Sequence, residues 1–238
     1  MIERRRLLLM RHGSVDYFDA DGRPYPPDDV PLTPHGVAQA RAMGEALAAG
    51  GATIDRVVTS GLRRTRETAR HVLEAAHLAP PVEHWEGFRE IRGGRLSEIR
   101  DDELRDAFLC AFEGPVPRDT KFLGGETIGQ LLDRVLPQVE RLRADPAWDT
   151  ALLVAHGGVN RAVLSWFLTG QHQFLGGLAQ DAGCLNVIDI GPTPATSVVR
   201  VVNFCAIDSL RTGTRLSTME ELLQKYLKLR GRGGTEDQ

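Results

Sequence analysis

The chain has 238 residues, 42% hydrophobic and 26% charged, the make-up of a globular protein with one substantial core or two small ones. Its 29 Lys and Arg against 32 Asp and Glu leave a net charge of −3, so no global basic field draws nucleic acid. The three cysteines, Cys110, Cys184 and Cys205, have neither metal-ligand spacing nor an even disulfide framework. No run approaches the roughly 18 apolar residues of a membrane span, and the reducing cytoplasm is the expected compartment.

In chain order, Arg6 to Met10 reads as a buried strand. Arg4, Arg5 and Arg6 before Leu7, Leu8 and Leu9 resemble the start of a signal peptide, but Arg11 and His12 cut the apolar stretch short. A turn-rich loop, Asp16–Pro31, follows. Thr33-Pro34 then opens a helix, Thr as N-cap and Pro at the first helical position. Ile54 to Thr59 is a second strand, and the helix after Ser60 puts Leu62, Ala69, Val72, Leu73 and Ala76 on one face. Gly87–Gly125 is a long excursion. Ile128, Leu131, Leu132, Val135, Leu136, Val139 and Leu142 form the cleanest helical stripe, in which Pro137 predicts a kink. Ala151 to Ala155 is a strand, and Val159, Ala162, Val163, Trp166 and Phe167 line the next helix. Strands near Leu185–Ile190 and Ser197–Asn203 precede an amphipathic helix around Met219–Leu229. This alternation predicts an α/β fold: a three-layer sandwich whose mostly parallel central sheet is covered on both faces. Residues 1–230 are read as one domain and 231–238 as a disordered tail.

One pattern occurs twice. Leu-Leu-Leu-Met runs into Arg11-His12-Gly13, and Leu-Leu-Val-Ala into His156-Gly157-Gly158. Ligands of open α/β sheets bind beyond the carboxyl ends of strands, so two neighbouring parallel strands would bring both imidazoles into one crevice. A glycine after each histidine leaves room for a ligand to approach the backbone. Arg11, and the arginines of Ser60-Gly61-Leu62-Arg63-Arg64, supply guanidinium forks suited to phosphoryl oxygens. Taken singly, each histidine also fits a capped strand end, and Arg63, Arg64, Arg66 and Arg70 a solvated helix face.

The ordered set resembles the histidine phosphatase superfamily, which includes the cofactor-dependent phosphoglycerate mutases. Arg11-His12-Gly13, the stretch Ser60 to Ala69 with Arg64 in the arginine position, Glu90 followed by Gly94, and His156-Gly157-Gly158 carry the resemblance. Leu32-Thr33-Pro34-His35-Gly36 and Gly124-Gly125-Glu126-Thr127 are weaker echoes. The resemblance implies a phosphoglycerate mutase-like fold and a metal-independent phosphomonoester hydrolase working through a phosphohistidine on His12. In that scheme a backbone carbonyl such as that of Gly13 fixes the His12 tautomer. Arg11, Arg64 and His156, with backbone N–H groups from Gly157 onward, surround the phosphoryl oxygens. Charge from that anion favours protonated His156, and Glu90 is the general acid and then the base. Catalytic candidates are therefore His12, Glu90 and His156; substrate-binding candidates are Arg11, Arg64 and Gly157.

The chain also departs from the family pattern. Val15 and Phe18 stand where polar residues are usual, and Arg92, Gly93 and Arg95 replace the usual aromatics after Glu90. One or both of Arg92 and Arg95 is expected to reach the distal part of the substrate. No cofactor and no metal site are implied. The expected partner is a small phosphorylated metabolite, with neither nucleic acid nor membrane; a homodimer is left open. A phosphoglycerate mutase-type phosphotransferase is the alternative, and a catalytically silent phospholigand-binding protein a third. Only Arg95 to Leu123 separates Gly94 from Gly124, shorter than the cover the mutases insert there, which favours the phosphatase branch.

Overall fold

A computed structural model describes residues 3–18, 25–207, 209 and 215–233. Its elements run β1 (Arg5–Arg11), α1 (Pro34–Ala49), β2 (Arg56–Thr59), α2 (Arg63–Ala76), β3 (Val82–His84), α3 (Leu104–Leu109), β4 (Pro115–Val116), α4 (Ile128–Ala144), β5 (Thr150–Ala155), α5 (Gly157–Thr169), β6 (Phe174–Leu175), β7 (Leu185–Ile190), β8 (Val198–Phe204) and α6 (Thr218–Gly233).

The main sheet has the order β3-β2-β5-β1-β7-β8. Its first four strands are parallel, and β7 and β8 continue it antiparallel. Side chains alternate along β1 and decide the layers. Leu7 and Leu9 join Leu153 and Ala155 in a core with the inner faces of α4 and α5. Leu8 and Met10 join Leu152 and Val154 in a second core with Ala40, Met43 and Leu47 of α1 and Ala69, Val72 and Leu73 of α2. Burial on both faces is why β1 and β5 read as unbroken apolar runs. The result is the expected three-layer α/β sandwich.

Local signals hold up well. Thr33 caps α1 as expected by accepting from Gly36 N at 3.0 Å; the structure adds a cap on α4, where Thr127 forms a reciprocal box with Gln130. α4 is one element with Pro137 inside it, and every member of its predicted stripe is buried. Two expectations shift. The antiparallel pair β4 and β6 and the short α3 inside the 87–125 excursion carry no clear periodicity and went unpredicted. The last helix extends to Gly233, so 231–233 are helical rather than part of the expected tail; the rest of that tail, 234–238, lies outside the described residues. No described helix is long and apolar enough to cross a membrane.

Adjacent β1 and β5 feed α1 and α5 on opposite faces of the sheet, which opens a crevice at their carboxyl ends. Arg11 is in register with Ala155, so His12 and His156 emerge side by side.

Candidate active site

The two imidazoles pack edge to face, ring centroids 5.2 Å apart. Both are buried: His12 is 2% exposed and His156 fully enclosed. His12 Nδ1 lies 2.8 Å from the Gly13 carbonyl oxygen, an acceptor only, so Nδ1 donates and Nε2 keeps its lone pair. Burial, with the charges of Arg64 and Arg11, holds His12 well below the usual histidine range. The ring that would have to attack phosphorus is thus neutral.

His156 is shifted in the same direction in the free protein. Burial first, then Arg64, His12, Arg11 and Arg134, push it well below its ordinary value too. Protonation of His156 belongs to the complex with an anion. Its Nε2 meets Ser60 Oγ at 2.8 Å, and Ser60 Oγ lies 3.0 Å from Thr65 Oγ1. Among the described residues, His156 Nδ1 has no hydrogen-bond partner.

Both arginines reach the crevice. Arg11 is anchored by Nη1 to the Gln180 carbonyl and to Thr218 Oγ1, and Arg64 by Nη1 to the Pro27 carbonyl at 3.0 Å. Each keeps a buried Nε without a partner. Among the described residues, Arg11 Nε, Arg64 Nε and His156 Nδ1 are therefore three buried polar atoms without partners, next to a neutral imidazole. Buried polar groups left so are costly unless a ligand meets them. Among the described residues, no three His, Cys, Asp or Glu side chains gather as metal ligands would.

Glu90 comes in from the excursion and sits at the start of α5. Its carboxylate accepts from Ile91 N at 2.9 Å and from Gly158 N at 3.2 and 3.3 Å. The Gly158 N–H, expected to bind the anion, is thus taken by Glu90. A Cβ on residue 158 would stand 2.7 Å from Glu90 Oε1. Gly13 also has a packing reason to be glycine: a Cβ there would stand 2.4 Å from the Gly36 carbonyl oxygen, so it lets α1 pack on the strand end. At Gly157 a Cβ would meet the Arg161 and Arg11 guanidinium groups at 3.2 and 3.6 Å.

A cleft of about 2300 Å³ opens over these residues. The described parts of the 16–31 loop and of the 87–125 excursion line it, with Val15, Tyr17 and Phe18 making its mouth apolar. Helix α6 forms another wall, tied down by Thr218 to Arg11 and by Lys225, which lies 3.6 Å from Asp16. Arg92 lines the cleft, but its side chain is 79% exposed and 4.0 Å from Glu126; Arg95 is 83% exposed and turns to Glu98. The site brings together all six predicted residues.

Arg161, Ser60, Thr218, Glu126 and Arg134 are site neighbours that sequence reasoning did not single out for a role. Arg161, one turn into α5, hydrogen-bonds the Gly157 and Gly176 carbonyls and is pushed down to about 10 by burial and by Arg11. Ser60 and Glu126 stood inside quoted motifs, which was their only signal.

The model of the histidine phosphatase superfamily (branch 1) matches residues 7–203, and the chain belongs to that family. It is 31% identical over 207 residues to the adenosylcobalamin/α-ribazole phosphatase of Salmonella typhimurium, covering 85% of this chain and 98% of that one. It is 30% identical over 185 residues to the 2,3-bisphosphoglycerate-dependent phosphoglycerate mutase of Nocardia farcinica, covering 66% and 75%. Among solved structures, the α-ribazole phosphatase of Shigella flexneri matches with a TM-score of 0.61 at 26% identity, over 83% of this chain and 96% of that one. A mycobacterial glucosyl-3-phosphoglycerate phosphatase matches with a TM-score of 0.64 at 25% identity, over 84% and 99%. Both phosphatases and mutases thus stand among the chain's relatives.

Proposed function

We propose that the protein hydrolyses phosphate monoesters of small metabolites, without a metal, through a phosphohistidine on His12. The observation that carries this reading is the pairing of a buried, neutral His12 with the unpartnered donors Arg11 Nε, Arg64 Nε and His156 Nδ1. A neutral imidazole is a competent nucleophile. Donors fixed around it stabilise charge spread over the equatorial oxygens, where a divalent ion would otherwise serve. His12 Nε2 attacks phosphorus in line while the ester oxygen leaves with a proton from Glu90. Glu90 then takes a proton from water, which attacks the phosphohistidine and releases phosphate. Among the hydrogen bonds of the described residues, only the backbone N–H groups of Ile91 and Gly158 hold the Glu90 carboxylate, so no side chain competes for the proton it gives and takes.

A cover over the mouth favours a second reading, phosphoryl transfer to a bound acceptor as in the mutase relatives. Helix α6 reaches Arg11 and Asp16 across the cleft, and a phosphohistidine that must be handed back needs shielding from water. Hydrolysis remains the better reading, because Val15, Tyr17 and Phe18 give a small dianionic acid little polar grip and the rim cations Arg92 and Arg95 face carboxylates. The deciding assay offers 3-phosphoglycerate with a trace of 2,3-bisphosphoglycerate, and separately a panel of phosphorylated metabolites. Hydrolysis of panel members with slow isomerisation supports the phosphatase; fast isomerisation with little free phosphate supports the mutase.

A further inference from the structure

Gly124-Gly125-Glu126-Thr127 has no part in the scheme above, yet it lies against the segment that carries Glu90. Glu126 is buried, its side chain 4% exposed, immediately before the N-cap of α4. Its two carboxylate oxygens accept from Arg134 Nε and Nη2, two turns along that helix, at 2.7 and 3.0 Å. One of them also accepts from Arg92 N at 3.0 Å. Arg134 spends its remaining donors on the Glu90 segment: Nη1 on the carbonyls of Gly87 and Arg89 at 3.0 and 2.6 Å, Nη2 on that of Glu90 at 3.1 Å. Burial alone would raise the Glu126 carboxyl, but Arg134 and the Arg92 N–H hold it below the ordinary range, so the pair is ionised.

The glycines belong to the same device. Glu126 N donates to the Arg92 carbonyl at 2.8 Å and Gly94 N to that of Leu123 at 2.9 Å, laying 92–94 against 123–126 backbone to backbone. A Cβ at residue 125 would stand 2.4 Å from the Arg92 oxygen and 2.5 Å from Gly94 N, leaving room for glycine only. Backbone groups on both sides of Glu90 are thus fastened to one buried ion pair on one rigid helix. The carboxylate itself is left to the Ile91 and Gly158 N–H groups.

We propose that Glu126 and Arg134 are positioning residues for proton transfer by Glu90: they fix the backbone of 87–92 so that its carboxyl meets the leaving oxygen. This rests on Glu90 being the acid, and the test separates the two. A general acid matters for an alcohol that leaves poorly and little for a phenol that leaves without help. The ratio of kcat/KM for benzyl phosphate to that for p-nitrophenyl phosphate therefore reads the acid, and kcat/KM excludes the later water step that both esters share.

Glu90→Gln is the benchmark. Arg134→Lys replaces a planar fork making five hydrogen bonds with a point charge that cannot span them. Gly125→Ala pushes the segment from the other side. Both should lower kcat/KM for benzyl phosphate about tenfold or more and that for p-nitrophenyl phosphate about threefold or less, in part reproducing the benchmark. Equal losses on both esters, or none, while Glu90→Gln discriminates between them, would overturn the positioning role alone. A benchmark that fails to discriminate would remove Glu90 as the acid, and the positioning role with it. Melting temperatures of the variants identify any that fail to fold; for those, Glu126→Gln, which keeps an acceptor for the Arg92 N–H, is measured in their place against the same two outcomes.

Discussion

Ser60→Ala removes one hydroxyl and tests how His156 is held. Ser60 and His156 are both fully buried, and Ser60 Oγ stands between His156 Nε2 at 2.8 Å and Thr65 Oγ1 at 3.0 Å. Thr65 Oγ1 already donates to the Leu62 carbonyl at 2.8 Å, so the single Ser60 proton can go to either neighbour. In the neutral tautomer that keeps its proton on Nδ1, the atom without a hydrogen-bond partner among the described residues, Ser60 donates to Nε2. When an incoming phosphate protonates His156, Nε2–H donates to Ser60, which turns its own proton to Thr65. The hydroxyl thus holds the ring in one orientation in both protonation states. Alanine leaves Nε2 buried without a partner, a penalty of about 1–3 kcal/mol in folding stability. The freed ring should also cost about 10–100-fold in kcat/KM, or about 1.4–2.7 kcal/mol of transition-state stabilisation. Calorimetric melting gives the first figure and initial rates on p-nitrophenyl phosphate the second. A variant that melts lower but keeps kcat/KM within about twofold of wild type would refute this account of Ser60.

Three further outcomes follow from the same geometry. His12 and His156, and His71 by burial and the charge of Arg70, all lie below the ordinary histidine value in the folded chain. The unfolded chain therefore binds more protons below about pH 6.5, so stability present above that pH is lost as pH falls; a melting temperature flat from about pH 8 to 5 would contradict this. Arg92→Ala with Arg95→Ala should change KM for anionic monoesters by about threefold or less, since both side chains are solvated and face carboxylates. A tenfold rise would restore them as substrate contacts. Activity should persist in excess EDTA, because Arg11, Arg64 and His156 supply the opposing donors; loss in chelator with rescue by a divalent ion would refute that.

The sheet and the two histidines were legible because their signals are local. An apolar run ending in His-Gly marks a buried strand that delivers its last residue to a sheet edge, and β1 and β5 do so in register. Thr33-Pro34 likewise writes its cap into a few neighbouring residues, whereas the Thr127 cap with Gln130 appears only in the structure. What stayed hidden depends on partners far apart in the chain. Arg134 meets Glu90 across 44 residues and Arg11 meets Thr218 across 207, and no periodicity marks either end. The packing roles of two glycines were hidden as well: Gly13 and Gly158 make room for the Gly36 carbonyl and the Glu90 carboxylate, contacts that only the folded chain creates. The lowered state of His156 in the free protein was hidden for the same reason, since burial and three arginines act on it before any anion arrives.

The central claim is that His12 carries the phosphoryl group. Enzyme quenched during turnover of a ³²P-labelled monoester should hold label that is acid-labile and base-stable, the signature of a phosphoramidate, and peptide mapping should put it on His12. His12→Ala should fold with the wild-type secondary structure, carry no label and lose turnover by several orders of magnitude. Label on another residue, or a His12→Ala variant that still turns over near the wild-type rate, would contradict the account.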